Sequence, residues 1–235
     1  MDAWWSYRPE DLVLYTDVTW YSLLASYHRT YWPWQLLPLM ALIATRLLPS
    51  AMRPYRGNLL ALLLAACWAW VAWAFLHRVL APVHWIADAY AVAFALQSLL
   101  LIAVATRQPL ALHPDRSLRN LVAIAAILSG LFVLPCISVF DTRDIAQTEL
   151  VGATPDATVL VSLGVVALFA TRHTWLLLVI PVLWCLVAGV TAMVLELTAY
   201  WLLPLAALLV LSTRRMPKRS RGLGGGVSRS GDSRN

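Results

Sequence analysis

The chain has 235 residues, 60% of them apolar and 13% charged, with a formal net charge of +6. A water-facing surface takes about 25% charged residues, so an ordinary soluble domain is excluded. So are a disordered chain, which this apolar content forbids, and a disulfide scaffold, which three cysteines cannot build. The composition fits a protein that uses lipid as its solvent.

No cleavable secretion signal is expected, because Met1-Asp2-Ala3-Trp4-Trp5 has no basic region and the first long apolar run begins near Trp32. Segment 1–32 is aromatic-rich: five of the twelve Trp and five of the eight Tyr fall at or before Trp34. Trp20, Leu23, Leu24, Tyr27 and Tyr31 repeat at helical spacing with Ser22, Ser26 and Arg29 opposite. That predicts an extracytoplasmic amphipathic helix in the headgroup region. Its bland role is an anchor for the first span; its sharper one is a lid, or a docking surface built on Trp20, Tyr27 and Tyr31.

A transmembrane helix bundle is expected over 33–212, with apolar spans at 33–49, 59–80, 84–106, 119–140, 157–171, 174–195 and 198–212. Crossing the hydrocarbon takes about 20 residues. The second, third, fourth and sixth spans meet that, the first is marginal, and the fifth and seventh, at 15 residues, are short. Charge parity favours seven: Lys and Arg then divide 4 to 14 between the two sides, and the basic side holds only Asp115 and Asp232 of the acids. Cytoplasmic loops accumulate basic residues, so the N-terminus is placed outside and the C-terminus in the cytoplasm. Thr154-Pro155-Asp156 reads as an N-cap, a first-turn proline and a first-turn acid, starting the fifth span at the outer face. Pro38, Pro135, Pro181 and Pro204 predict kinks whose freed carbonyls neighbouring helices satisfy. Ala61, Ala65 and Ala69, then Ala126 and Gly130, then Ala188 and Ala192, give small-residue spacing for close helix packing. The tail 213–235 carries seven basic residues among glycines and is expected to be disordered and drawn to anionic lipid headgroups, with no nucleic-acid role.

Chemistry is sparse. No nucleophile elbow, zinc-protease motif or phosphate loop occurs, so no enzyme and no cofactor are expected. Paired carboxylates are read only in outer loops, as Glu10 with Asp11 and Asp141 with Asp144. His77, His84 and Asp88 form a candidate outer-face polar or metal cluster, His84 and Asp88 being one helical turn apart, although the spacing matches no established zinc pattern. Cys67, Cys136 and Cys185 read as small apolar residues, and a soft-metal site would need them to converge. Trp68, Trp70 and Trp73 lie deeper than an interfacial belt, for packing or a flat apolar ligand. Ion-coupled carriers keep ionisable residues at mid-membrane depth, whereas Arg46, Arg78, Asp88 and Glu196 sit near span ends. Gln97, with Ser98, Ser129 and Thr191, is the candidate solute pathway for a neutral molecule.

Three stretches resemble a family of uncharacterised multi-pass bacterial membrane proteins, sometimes labelled permease-like. They are Trp32-Pro33 with Gln35; Gly152-Ala153-Thr154-Pro155-Asp156-Ala157-Thr158-Val159; and Ile180-Pro181-Val182-Leu183-Trp184 with Gly189 and Ala192. The resemblance extends from about Tyr27 to Val210, but the family's middle loop is less acidic than 141–149 here. It supports the membrane class, with the bacterial inner membrane as the expected location, and carries over no functional residues. Two functions remain: a non-enzymatic accessory or assembly protein bound to a membrane-protein partner or to copies of itself, which is favoured, and a small neutral-solute permease or channel.

Overall fold

The structure, a computed structural model, describes residues 16–45, 47, 49–112, 117–140, 144–169, 173–195 and 201–215. Arg46, Glu196, the first fifteen residues with Glu10 and Asp11, Asp141, and the basic tail beyond Arg215 lie outside them. Among the described residues every regular element is helical, and the only extended pairings are isolated bridges, Leu112 with Phe169 and Val151 with Thr154.

Helix α1 (Asp17–Tyr31) starts where the Thr16 hydroxyl accepts from Thr19 N at 3.3 Å. Trp20, Leu24 and Tyr27 are buried and Ser22, Ser26 and Arg29 exposed, as its spacing requires. The apolar face turns onto the protein itself. Trp20 and Tyr27 meet Phe75 edge-on at 5.5 and 5.3 Å, and Tyr31 meets Trp70 at 5.4 Å. Trp70 Nε1 donates to the Tyr27 hydroxyl at 2.9 Å. The docking surface expected on Trp20, Tyr27 and Tyr31 is therefore corrected: covering Phe75 and Trp70 removes that apolar area from solvent within the chain.

Helix α2 (Leu36–Ala44) has nine residues, about 14 Å of helix at 1.5 Å per residue, and Thr45 ends it by donating to Leu42 O at 2.7 Å. Where the first span was expected over 33–49, the helix alone is too short to cross a hydrocarbon layer of about 30 Å. Helix α3 (Arg56–Trp70) continues as a π-helical stretch, Val71–Leu80, for 25 residues in all. Helix α4 (Ala87–Arg107) has 21 residues. Helix α5 (Leu118–Leu128) runs through a wide turn, Ser129–Val133, into α6 (Leu134–Phe140) and is apolar over 20 residues. Helix α8 (Thr174–Val194) has 21. These four are long and apolar enough to cross a membrane. Helices α7 (Pro155–Leu168) and α9 (Leu202–Arg215) have 14 residues each.

The core is built on α7, in which Pro155 to Ala167 are all buried. It packs against α3, α5 with its wide turn, α8 and α9. The surrounding helices face outwards with apolar stripes at three- and four-residue spacing: Val92, Leu96 and Leu99; Leu121, Ile124 and Leu128; Leu176, Val179 and Leu183. Apolar faces of that extent mark a surface made for lipid or for other protein. Between α5 and α7 the backbones nearly touch: a Cβ on Gly164 would run into Ala123 O, and one on Gly130 would stand 2.8 Å from Ala157 O. Ala126, Ala188 and Ala192 are buried as their spacing predicts, while in the Ala61, Ala65, Ala69 series the last is exposed.

Gly164→Ala should overpack the α5–α7 contact and cost about 1–3 kcal/mol. Gly189→Ala, whose Cβ would meet only Pro204 at an ordinary 3.5 Å, should leave stability nearly unchanged. Thermal unfolding of the two purified variants in one detergent checks the contrast.

Candidate functional site

After the 3-10 turn Ile145–Gln147 the chain runs without helix from 148 to 154, yet Thr148, Glu149 and the residues from Val151 to Thr154 are buried. Two residues impose the break. Gly152 has φ 78°, the left-handed region that L side chains avoid, and a Cβ there would lie 2.5 Å from Pro38 and 3.1 Å from Cys67 Sγ. Pro155 pushes Thr154 into extended backbone, φ −113° and ψ 154°, and so fixes the start of α7. Buried backbone outside a helix needs its own partners. Ala153 N and Thr154 N donate to Leu150 O at 3.0 and 2.9 Å. Gly152 N donates to the Thr158 hydroxyl at 2.8 Å, which in turn donates to Thr154 O at 2.7 Å.

The break lies at mid-height in the bundle. Gly152 abuts Cys67 near the middle of Arg56–Leu80, Ala157 abuts Gly130 near the middle of the α5–α6 span, and Asp156 meets Trp184 at the middle of α8. The fifth span was expected to start at the outer face; its boundary at Thr154-Pro155 stands, but the helix opens inside the protein.

Two carboxyl groups occupy this point. Asp156 is 3% exposed and Glu149 4%. Asp156 Oδ1 accepts from Trp184 Nε1 at 2.6 Å, and Glu149 is a second hydrogen-bond partner of its carboxyl. The Thr154 hydroxyl stands 3.4 Å from Glu149 Oε2 and makes no cap bond to α7. Partial positive charge at a helix N-terminus favours anions there, which offsets part of the cost of burying an acid in the first turn. The indole of Trp184 is held edge-on by Tyr90 at 5.3 Å and Phe94 at 4.9 Å. Phe94 leans on Trp68 at 4.3 Å, and Trp68 Nε1 donates to Ser162 Oγ at 2.8 Å. Paired carboxylates were expected only in outer loops, and this pair corrects that.

The residues singled out in the sequence fall elsewhere. Gln97 and Ser98 are buried and point at neighbouring backbone: Gln97 Nε2 donates to Leu177 O at 2.9 Å, and Ser98 Oγ to Ala65 O at 2.7 Å. Thr191 is half-buried and donates to Val187 O of its own helix, and Ser129 opens the wide turn after α5. The four lie on three different spans. His77 Nδ1 and Asp88 Oδ1 meet at 2.7 Å on the surface. His84 does not share the helix of Asp88, because α4 begins only at Ala87; its ring is buried, 6.1 Å from Tyr90. Among the described residues no three metal-ligating side chains gather. Cys67 and Cys185 are buried and Cys136 is exposed. Trp73 carries Arg78 over its face at 5.7 Å, while Trp68 and Trp70 are engaged as above. Asp156 and Glu149 themselves were missed. Their one-dimensional signal was a fifth span too short to cross, with an acid in its first turn and another six residues before Pro155.

Four helices long and apolar enough to cross a membrane, three of them packed on a short buried helix, suggest a polytopic membrane protein. The chain belongs to the Family of unknown function (DUF6064), which matches residues 17–223 and so takes in the whole of the bundle. No curated protein and no solved structure matches it.

Trp184→Phe keeps an aromatic ring but removes the indole donor to Asp156, and should cost about 1–3 kcal/mol for the polar group left underbonded, read as a fall in unfolding temperature. Burial holds the imidazoles of His28 and His84 below their ordinary range. Both are then neutral when folded and take up a proton on unfolding below about pH 6.5. Their contribution should be flat above that pH and turn destabilising as pH falls through it, and His28→Gln with His84→Gln should weaken the dependence in pH-resolved melts.

Proposed function

We propose that the protein is a multi-pass permease of the bacterial inner membrane, in which a small solute passes the break before α7 and the Glu149–Asp156 pair holds a proton that moves with it. The carboxyl pair at mid-height carries this reading. Ionisable groups at that depth are costly and belong to substrate paths and proton relays. Two acids within one hydrogen bond of each other keep one proton between them, because like charges so close cannot both ionise cheaply. Non-helical chain inside the bundle is the other half of the argument, since broken helices form the binding sites of many carriers. The distribution of charges along the sequence supports seven crossings with the N-terminal side outside, and exposed rings support the two interfaces: Trp32, Trp34 and Trp85 towards one end, Tyr55 and Trp175 towards the other. Three of those crossings would combine short helices with non-helical chain.

The accessory reading loses support, because the rings meant to dock a partner are packed on Phe75 and Trp70. The test is flux into liposomes holding a pH-sensitive dye, with sugars, polyols, amino acids and amines supplied in turn. One class should enter with a proton signal that Asp156→Asn abolishes and Glu149→Gln abolishes or uncouples. If no class moves and the protein instead copurifies at fixed stoichiometry with another membrane protein, unaffected by Asp156→Asn, the permease reading is wrong and the accessory one replaces it.

A further inference from the structure

Helix α8 carries Pro181 in its interior. Proline has no N–H, and its ring displaces the carbonyl four residues back, so Leu177 O has no partner along its own helix. Gln97 supplies one from α4, its Nε2 donating to Leu177 O at 2.9 Å. The other half of that amide gains nothing: Gln97 Oε1 is buried without a hydrogen-bond partner among the described residues. A buried acceptor left unpaired is a cost, which leucine at this position would avoid. The side chain is therefore explained by what its nitrogen does.

What the nitrogen does reaches the carboxyl site. Trp184 stands three residues beyond Pro181, and its indole holds Asp156. The rings that grip Trp184 come from Tyr90 and Phe94, on the same helix as Gln97 and at helical spacing from it. One helix thus fixes α8 on both sides of its proline.

We infer that Gln97 is a positioning residue of the carboxyl site: it clamps the proline hinge of α8 and so sets the direction from which Trp184 reaches Asp156. The inference rests on the reading of that site as functional, but its test does not depend on whether a proton moves.

The test is a double-mutant cycle on the full chain in lipid nanodiscs, with Gln97→Leu, Pro181→Ala and the two combined. The readout is the indole N–H hydrogen-bond band of Trp184 in ultraviolet resonance Raman spectra, isolated by subtracting Trp184→Phe. Gln97→Leu should shift that band to the position of a weaker hydrogen bond. Pro181→Ala restores an N–H for Leu177 O, so the combined variant should return the band to its wild-type position. An unshifted band in Gln97→Leu overturns the clamp, and so does a combined variant that stays shifted. If Gln97→Leu alone fails to fold, a combined variant that folds with the wild-type band supports the clamp, and one that also fails to fold overturns it. Liposome flux that is absent in the wild type, with these band shifts as expected, would sink the permease reading and leave the clamp standing.

Discussion

Burying a helix on every side removes any face on which it can put polar groups, and that constraint organises this protein. From Pro155 to Ala167 no residue of α7 reaches the surface, so each polar group it carries is answered from within. Ser162 takes the indole N–H of Trp68, Thr158 stitches Gly152 to Thr154, and Asp156 takes the indole N–H of Trp184. These bonds run to α3, to the segment before the helix and to α8. The helix with least polar surface is therefore the one most tied to its surroundings, and the carboxyl site is a product of that accounting.

Close approach does the rest of the positioning. Gly130 and Gly164 let the α5 and α7 backbones meet, and Gly152 lets the non-helical segment press against Pro38 and Cys67. The wide turn Ser129–Val133 lies where α5 passes the start of α7. A π turn carries one more residue per hydrogen-bonded ring than an α turn, which re-aims the side chains that follow it. The wide turn of α5 and the non-helical segment thus meet at one level, where α7 opens.

Much of the bundle was legible in the sequence because a long apolar run needs no partner to declare itself. The expected spans 59–80, 84–106, 119–140 and 174–195 match α3 with its π-helical stretch, α4, α5 with α6, and α8 to within a few residues. The face of α1 was legible too, since Trp20, Leu24 and Tyr27 repeat at helical spacing, but which surface they would cover was not. Depth was the larger loss. Hydropathy along a chain records how long a helix is and cannot record how far into the bundle it begins, so Thr154-Pro155-Asp156 looked like a surface start. Gln97 was conspicuous as a polar residue at a span centre; its partner Leu177 lies 80 residues away and is exposed to it only by a proline on the other helix. His84 was assigned to the helix of Asp88 because one turn of spacing was visible, and the start of α4 at Ala87 was not.

The shortness of α7 bears on how the chain is put together. A 14-residue helix reaches about 21 Å at 1.5 Å per residue; it carries one acid in its first turn, and the chain just before it brings another and a stretch of bare backbone. Such a segment has little reason to leave water or the insertion machinery for lipid alone, because lipid answers neither its carboxyl groups nor its unpaired amides. The acid in its first turn is answered by Trp184 on α8, and α8 is synthesised after it. The centre of the protein must therefore be among its last parts to settle, waiting on a helix made later to complete the place it occupies.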